Sequence, residues 1–271
     1  RLVISEDGST IVLHTSSSSE MMYVFDVSSS TPLWSKSIDY RPNGLDLSAD
    51  GNYIYYLDRK DTSHWSLRVH LRDSDTPLWQ VNLGSGGCCD YPWAMMSLVS
   101  SSADGQKIVA AGDDAIFLFD VDSEVPVWSY EYCSEGCDGQ FRSVAISADG
   151  SQIAAGHDSG KTILFNSSSS TPYWISDKGG FAVDFSGDGK YLVANKWNCC
   201  DVYLWNITSS TPVQTSVSKS KYAVSMSLDG YYYVTGYDQK IHRNHNLVLK
   251  HRWLCALYIG IHLLKGGSYY F

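Results

Sequence analysis

No run of eighteen uncharged apolar residues occurs in the chain, so no membrane-spanning helix is expected. The nearest approach, Trp253–Leu264, is short and contains His262. Charge is scarce, with Asp, Glu, Lys and Arg together 18% of the 271 residues. What charge there is sums to −9. A nucleic-acid partner needs a basic surface, so this balance excludes one and fits solubility or basic partners. A positively charged leader with an apolar core is missing, as are G-x-S-x-G, H-E-x-x-H and a phosphate loop. His242, His245 and His251 do not have the spacing of a defined zinc site. The first residue is Arg, so the chain is expected to be processed or part of a longer one.

What the chain does contain is repetition. A four-residue turn recurs as SEDG ending at Gly8, SADG at Gly51, Gly105 and Gly150, SGDG at Gly189 and SLDG at Gly230. These glycines stand 43, 54, 45, 39 and 41 residues apart. A second phrase recurs beside it: FDVSSSTPLW (25–34), LRDSDTPLW (71–79), FDVDSEVPVW (119–128), FNSSSSTPYW (165–174) and WNITSSTPVQ (205–214). Short β-branched and aromatic runs separate the two, as in SVAIS, SQIAAG, KTILFN and PYWIS. Glycine after Asp supplies the positive φ that a tight hairpin requires, and Ser and Asp can bond the turn backbone. Each unit therefore predicts four antiparallel strands, here called a, b, c and d. Strand c is apolar on consecutive residues (AIFLFD, TILFN), as expected where both faces are covered. Trp34, Trp79, Trp128 and Trp174 share one place in strand d and are expected to wedge between neighbouring units.

Units of about 45 residues with four strands are the pattern of a β-propeller blade. The chain resembles the WD-repeat and related propellers of secreted prokaryotic proteins, archaeal ones included. The stretch from Asp26 to Trp34 resembles the tryptophan-docking motif of quinoprotein-type propellers, sharing its eight-residue Asp-to-Trp spacing but lacking its Thr-Gly pair. The resemblance covers residues 1 to roughly 240 and implies an all-β propeller. Blades are expected at 1–39, 40–84, 85–135, 136–178, 179–218 and 219–253, with a partial seventh at 254–271. Seven blades are favoured, six being the alternative, in one domain incomplete at one or both ends.

Six of the seven cysteines form close pairs: Cys88 with Cys89, Cys133 with Cys137, and Cys199 with Cys200. In blade terms the first two pairs lie in d-to-a connections and the third in a b-to-c connection. A meander sends both kinds of connection out of one face, so the pairs are expected to gather there. Long loops with no core of their own gain from crosslinks, so disulfides and an oxidising compartment are expected. A thiolate metal site is the competing reading; Cys255 is left over. Asn166 (NSS) and Asn206 (NIT) begin glycosylation sequons on the other face.

Repetition argues that the turn aspartates are structural rather than catalytic. Asp113, Asp114, Asp158 and Asp238 are read as bonding their own turns, with calcium as an alternative, and His157 as a turn hydrogen-bonder. No cofactor is expected. The residues that depart from the repeat are more informative: Asp90, Tyr91, Trp93, Glu131, Tyr132, Asp138, Arg142, Lys196, Trp197 and Asp201. Aromatics with a few charges on ordered loops suit recognition, and aromatic platforms also suit sugars. The expectation is a non-enzymatic, extracellular or cell-surface propeller binding a protein or glycan through its cysteine-bearing face, or a repeating part of a surface assembly. The alternative is a quinoprotein-like oxidoreductase or a lyase with a site in the central channel.

Overall fold

In the computed structural model the described residues are 1–15, 20–38, 42, 44–61, 64–85, 98–112, 114–132, 139–196, 201–217, 223–235 and 240–243. They form a β-propeller, built as six antiparallel sheets that follow one another along the chain. The first blade is β1 (Leu2–Ile4), β2 (Thr10–Thr15), β3 (Met21–Asp26) and β4 (Trp34–Ser37). The second is β5 (Gly44–Leu47), β6 (Tyr53–Asp61), β7 (His64–Leu71) and β8 (Pro77–Ser85). The third comprises β9 (Val99–Ser101), β10 (Lys107–Ala111), β11 (Ala115–Asp120) and β12 (Trp128–Glu131). The fourth runs β13 (Phe141–Ile146), β14 (Gln152–His157), β15 (Lys161–Asn166) and β16 (Pro172–Ser176). The fifth is β17 (Val183–Phe185), β18 (Tyr191–Asn195), β19 (Asp201–Asn206) and β20 (Gln214–Val217). Three strands of the sixth are described: β21 (Val224–Met226), β22 (Tyr232–Thr235) and β23 (Lys240–Arg243). The expected partial seventh blade lies outside the described residues.

Each blade is a meander in which neighbours in sequence pair in space. The innermost strands of successive blades, β1, β5, β9, β13, β17 and β21, each lie beside the next. Polar side chains tie them together. Asp46 Oδ2 accepts from Ser101 N at 2.7 Å, Ser143 Oγ from Val183 N at 2.9 Å, and Asp184 Oδ2 from Met226 N at 2.8 Å. An inner strand thus satisfies backbone donors that its own sheet leaves open.

Burial follows position in the stack. Middle strands are buried on consecutive residues, as in Ile108–Ala111 of β10 and Ile163–Phe165 of β15, because a neighbouring blade covers each face. The outer strand d alternates half-buried with exposed, as in β12. In the first blade, β2 alternates buried with half-buried residues, since among the described residues one of its faces is covered. The largest apolar cluster runs through the second, third and fourth blades and includes Tyr55, Phe119, Phe141 and Phe165.

The repeated turn is built the same way six times. In the third blade Ser102 Oγ donates to Asp104 Oδ1 at 2.6 Å and accepts from Lys107 N at 3.0 Å, while Gly105 sits at φ 71°. The residue between Ser and Asp then reaches across the seam. Ala49 N donates to Ala103 O at 3.0 Å, and Ala103 N to Ala148 O at 2.9 Å. A line of backbone hydrogen bonds therefore joins successive turns on this face. The turn aspartates are structural, each carboxylate closing its own turn.

Candidate functional site

The connections from d to a and from b to c leave the strand ends opposite the repeated turns, by the antiparallel order of every sheet. Of the residues that depart from the repeat, five are described on this loop face. The six paired cysteines, Cys255, Asp90, Tyr91, Trp93, Asp138 and Trp197 lie outside the described residues, as do Asp113 and Asp238. The described members are Glu131, Tyr132, Arg142, Lys196 and Asp201, and they fall along one strip over the third, fourth and fifth blades.

The strip is organised around the b-to-c turn of the fourth blade. His157 ends β14 and is buried; its Nδ1 lies 2.8 Å from Ser159 Oγ, within its own turn. Tyr132, just past β12, meets the imidazole edge-on at 4.8 Å, and Phe141 does so from β13 at 5.2 Å. Burial holds the His157 pKa below the usual histidine range, with Asp158 opposing it, so the ring is neutral at pH 7. Arg142 clasps Asp158 Oδ2 through Nε at 3.1 Å and a terminal nitrogen at 2.8 Å. Asp158 Oδ1 also accepts from Gln140 N at 2.8 Å. Asp158 therefore fastens the loop entering β13, and its carboxylate is not closing its own turn. Charge-assisted hydrogen bonds are stronger than neutral ones, and this pair, in which two guanidinium nitrogens share one carboxylate oxygen, is shielded on both partners.

Next along the strip, Lys161 pairs with Asp177, which raises the lysine pKa and lowers that of the carboxyl. Gly180, at φ 90°, lies so close to His157 O that a side chain there would collide with the turn. That close approach packs the loop leaving the fourth blade onto the b-to-c turn. Lys178 then lies over the Tyr203 ring at 5.4 Å, and Tyr203 donates to Asp201 Oδ2 at 3.1 Å. Lys196 N donates to Asp201 O at 3.1 Å, and its side chain runs beside Gly160. Glu131 is exposed at the end of β12. Chemically the strip offers paired charges and aromatic edges. Among the described residues no three His, Cys, Asp or Glu side chains converge as metal ligands would.

Both sequon asparagines lie at the start of c-to-d turns, on the repeated-turn face. Asn166 Oδ1 accepts from Ser168 N at 3.1 Å and Ser168 Oγ at 2.8 Å; Asn206 treats Thr208 in the same way, at 3.1 and 2.8 Å. They occupy the place that Asp26 takes in the first blade, where Ser28 N donates at 2.8 Å.

The fold is that of a β-propeller, and solved structures support this. A chain from the crystal structure of the mitotic checkpoint complex superposes with a TM-score of 0.62 at 15% identity, over 89% of this chain and 89% of that one. At that identity the likeness is one of fold. No family model matches the sequence, and no curated protein matches it. Among the described residues no helix is long and apolar enough to cross a membrane.

Proposed function

We propose that this chain is a non-enzymatic binding scaffold of extracellular or cell-surface origin, holding a protein partner on its loop face. One observation carries the reading. The Ser-x-Asp-Gly turns of the opposite face are built alike in all six blades, whereas the described loop-face residues Glu131, Tyr132, Arg142, Lys196 and Asp201 follow no repeat and are braced by Arg142–Asp158 and the packing around His157. Recognition requires such individuality on a rigid support. The cysteine pairs belong to these connections, and their crosslinking would order the loops further in an oxidising compartment. Glycans at Asn166 and Asn206 would leave the loop face clear.

The test compares the two faces. Partners retained by the wild-type chain are to be challenged with loop-face reversals (Glu131→Lys, Lys196→Glu, Asp201→Lys) and turn-face reversals (Asp122→Lys, Glu124→Lys). Loss confined to the first set supports the proposal; loss confined to the second overturns it. Intact mass after alkylation, with and without reductant, tests the compartment, and seven free thiols in native material would rule out the secreted reading.

A further inference from the structure

A groove lies on the opposite side of the disc, between the fourth and fifth blades. It has a volume of about 320 Å³ and is lined by Gln152, Asn166, Tyr173, Ile207 and Thr208. Gln152 and Asn166 face each other in the register of β14 and β15. Tyr173 precedes Trp174 in β16 and is 61% exposed, an unusual setting for a tyrosine ring. The Asn166 carbonyl oxygen is engaged by Ser168, which directs its amide nitrogen outward. Thr208 donates its hydroxyl hydrogen to Asn206 and keeps its lone pairs. The lining is mainly apolar surface, Ile207 and the Tyr173 ring included, into which amide groups and a hydroxyl acceptor are set, and it carries no charge.

The repeat supplies its own controls. At the seam of the first and second blades the same positions hold the ion pair of Asp26 with Arg72. At the next they hold exposed Leu71 and Leu78. At the third, Lys107 and Asp120 stand 3.1 Å apart and take the places of Gln152 and Asn166. The fifth seam repeats the asparagine, as Asn206 opposite Tyr191, but has Val213 where the fourth presents Tyr173, so the exposed ring is what sets the fourth apart.

We propose that this groove binds a neutral saccharide, of one or two rings. An ionic ligand would find no counter-charge here, and an apolar one would leave the amides unpaired. Sugar hydroxyls both donate and accept, as the amides require, and the C–H face of a pyranose ring stacks on tyrosine. The volume is at the lower end of small-ligand pockets, which begin at roughly 300 Å³. Two sources can supply the sugar: a free glycan, or one carried on Asn166 itself.

The test is saturation-transfer NMR on unglycosylated protein from a bacterial host. The probes are N-acetylglucosamine, its β-1,4-linked dimer and maltose. Binding in the millimolar range is expected for at least one. Tyr173→Ala should weaken it by about tenfold, and Gln152→Ala by a few-fold. Leu78→Ala, the same position in the second blade, should leave it within about twofold. Tyr173 is exposed and Gln152 half-buried, and unchanged melting temperatures will verify the fold. No transfer from any probe, or wild-type binding by Tyr173→Ala, overturns the proposal. Protein from a glycosylating host separates the sources. A glycan mapped to Asn166 should block the free sugar, with binding restored in protein from the same host grown with tunicamycin, which leaves Asn166 unmodified. Unmodified Asn166 with binding intact assigns the groove to a free glycan, and equal binding with and without a glycan on Asn166 overturns the site.

Discussion

The indole of Trp128 donates its Nε1 hydrogen to the carbonyl oxygen of Ser167, 2.8 Å away across the seam between the third and fourth blades. The same bond links Trp34 to Arg72 O, Trp79 to Val121 O and Trp174 to Ile207 O, at 2.7, 2.6 and 2.8 Å. Each indole also lies against an aromatic ring of the next blade's strand c: His70, Phe119, Phe165 and Trp205 in turn. The tryptophans are therefore seam locks, with a polar and an apolar half.

Substitutions separate the two halves. Trp128→Phe keeps an aromatic ring beside Phe165, at present 5.5 Å from the indole, but removes the donor. The expected loss is about 1 kcal/mol, that of a single hydrogen bond. Trp128→Ala removes both halves and should cost about 3 kcal/mol. Chemical denaturation midpoints measure the difference. Equal losses for Phe and Ala would show that the ring contributes nothing.

The turn glycines separate local strain from seam contact. Gly8 and Gly105 have nearly the same φ, 73° and 71°. A Cβ on Gly8 would meet nothing within 4 Å, whereas one on Gly105 would lie 2.8 Å from Ser48 Cβ and the Tyr55 hydroxyl. Gly8→Ala should cost about 1–2 kcal/mol for the left-handed backbone alone. Gly105→Ala adds overpacking of about 1–3 kcal/mol. Melting temperatures should therefore order wild type above Gly8→Ala above Gly105→Ala. Coincident melting of the two variants would mean that the seam does not press on the turn.

The sequence disclosed its fold through repetition. The Asp-Gly turns, the apolar middle strands and the four tryptophans were legible because each rests on a local requirement, of φ, of two-faced burial or of a fixed offset. The line of hydrogen bonds from Ala49 to Ala103 to Ala148 was not, since any residue supplies a backbone N–H and leaves no mark on composition. Arg142 stood out as a departure from the repeat, but its pairing with Asp158 depends on how two loops meet in space. The groove at Tyr173 was missed for a related reason. Its residues come from two blades, and in the sequence Tyr173 looks like one more apolar residue before Trp. The seam comparison, lining up Asp26 with Asn166 and Leu33 with Tyr173, was the signal that could have found it.

Asp184 joins the fifth blade to the sixth, accepting from Met226 N at 2.8 Å and Ser225 Oγ at 3.0 Å. Asp184→Ala leaves that backbone donor without its acceptor, at a cost of about 2 kcal/mol. Asp184→Asn keeps a carbonyl oxygen in reach and should cost less than about 1 kcal/mol. The Met226 amide should exchange with deuterium faster in the alanine variant and near the wild-type rate in the asparagine variant. An unchanged Met226 exchange rate in Asp184→Ala would show that the carboxylate does not hold this seam.

His70 takes the place that Phe119, Phe165 and Trp205 occupy in later blades, and it titrates where they do not. It is fully buried between Trp34 and Tyr56, with ring centroids at 5.5 and 5.4 Å, and Nδ1 lies 3.2 Å from Ser74 O. Burial pushes its pKa down from 6.5 to about 4, with Lys36 and Arg68 acting in the same direction, the Ser74 carbonyl and Asp75 against it. The folded state thus refuses a proton that the unfolded chain accepts. Its contribution to stability is complete above pH 6.5 and is lost as pH falls toward 4. Across that window the loss is about 3 kcal/mol, from the size of the shift. His70→Phe should keep the stack, as the later blades do, and remove this part of the pH dependence. His157, also held neutral by burial, leaves a residual slope of the same sign. Denaturation midpoints at pH 7 and pH 4.5 provide the comparison: a smaller acid loss in His70→Phe than in wild type is expected. An equal loss would mean that His70 is not the buried group being protonated.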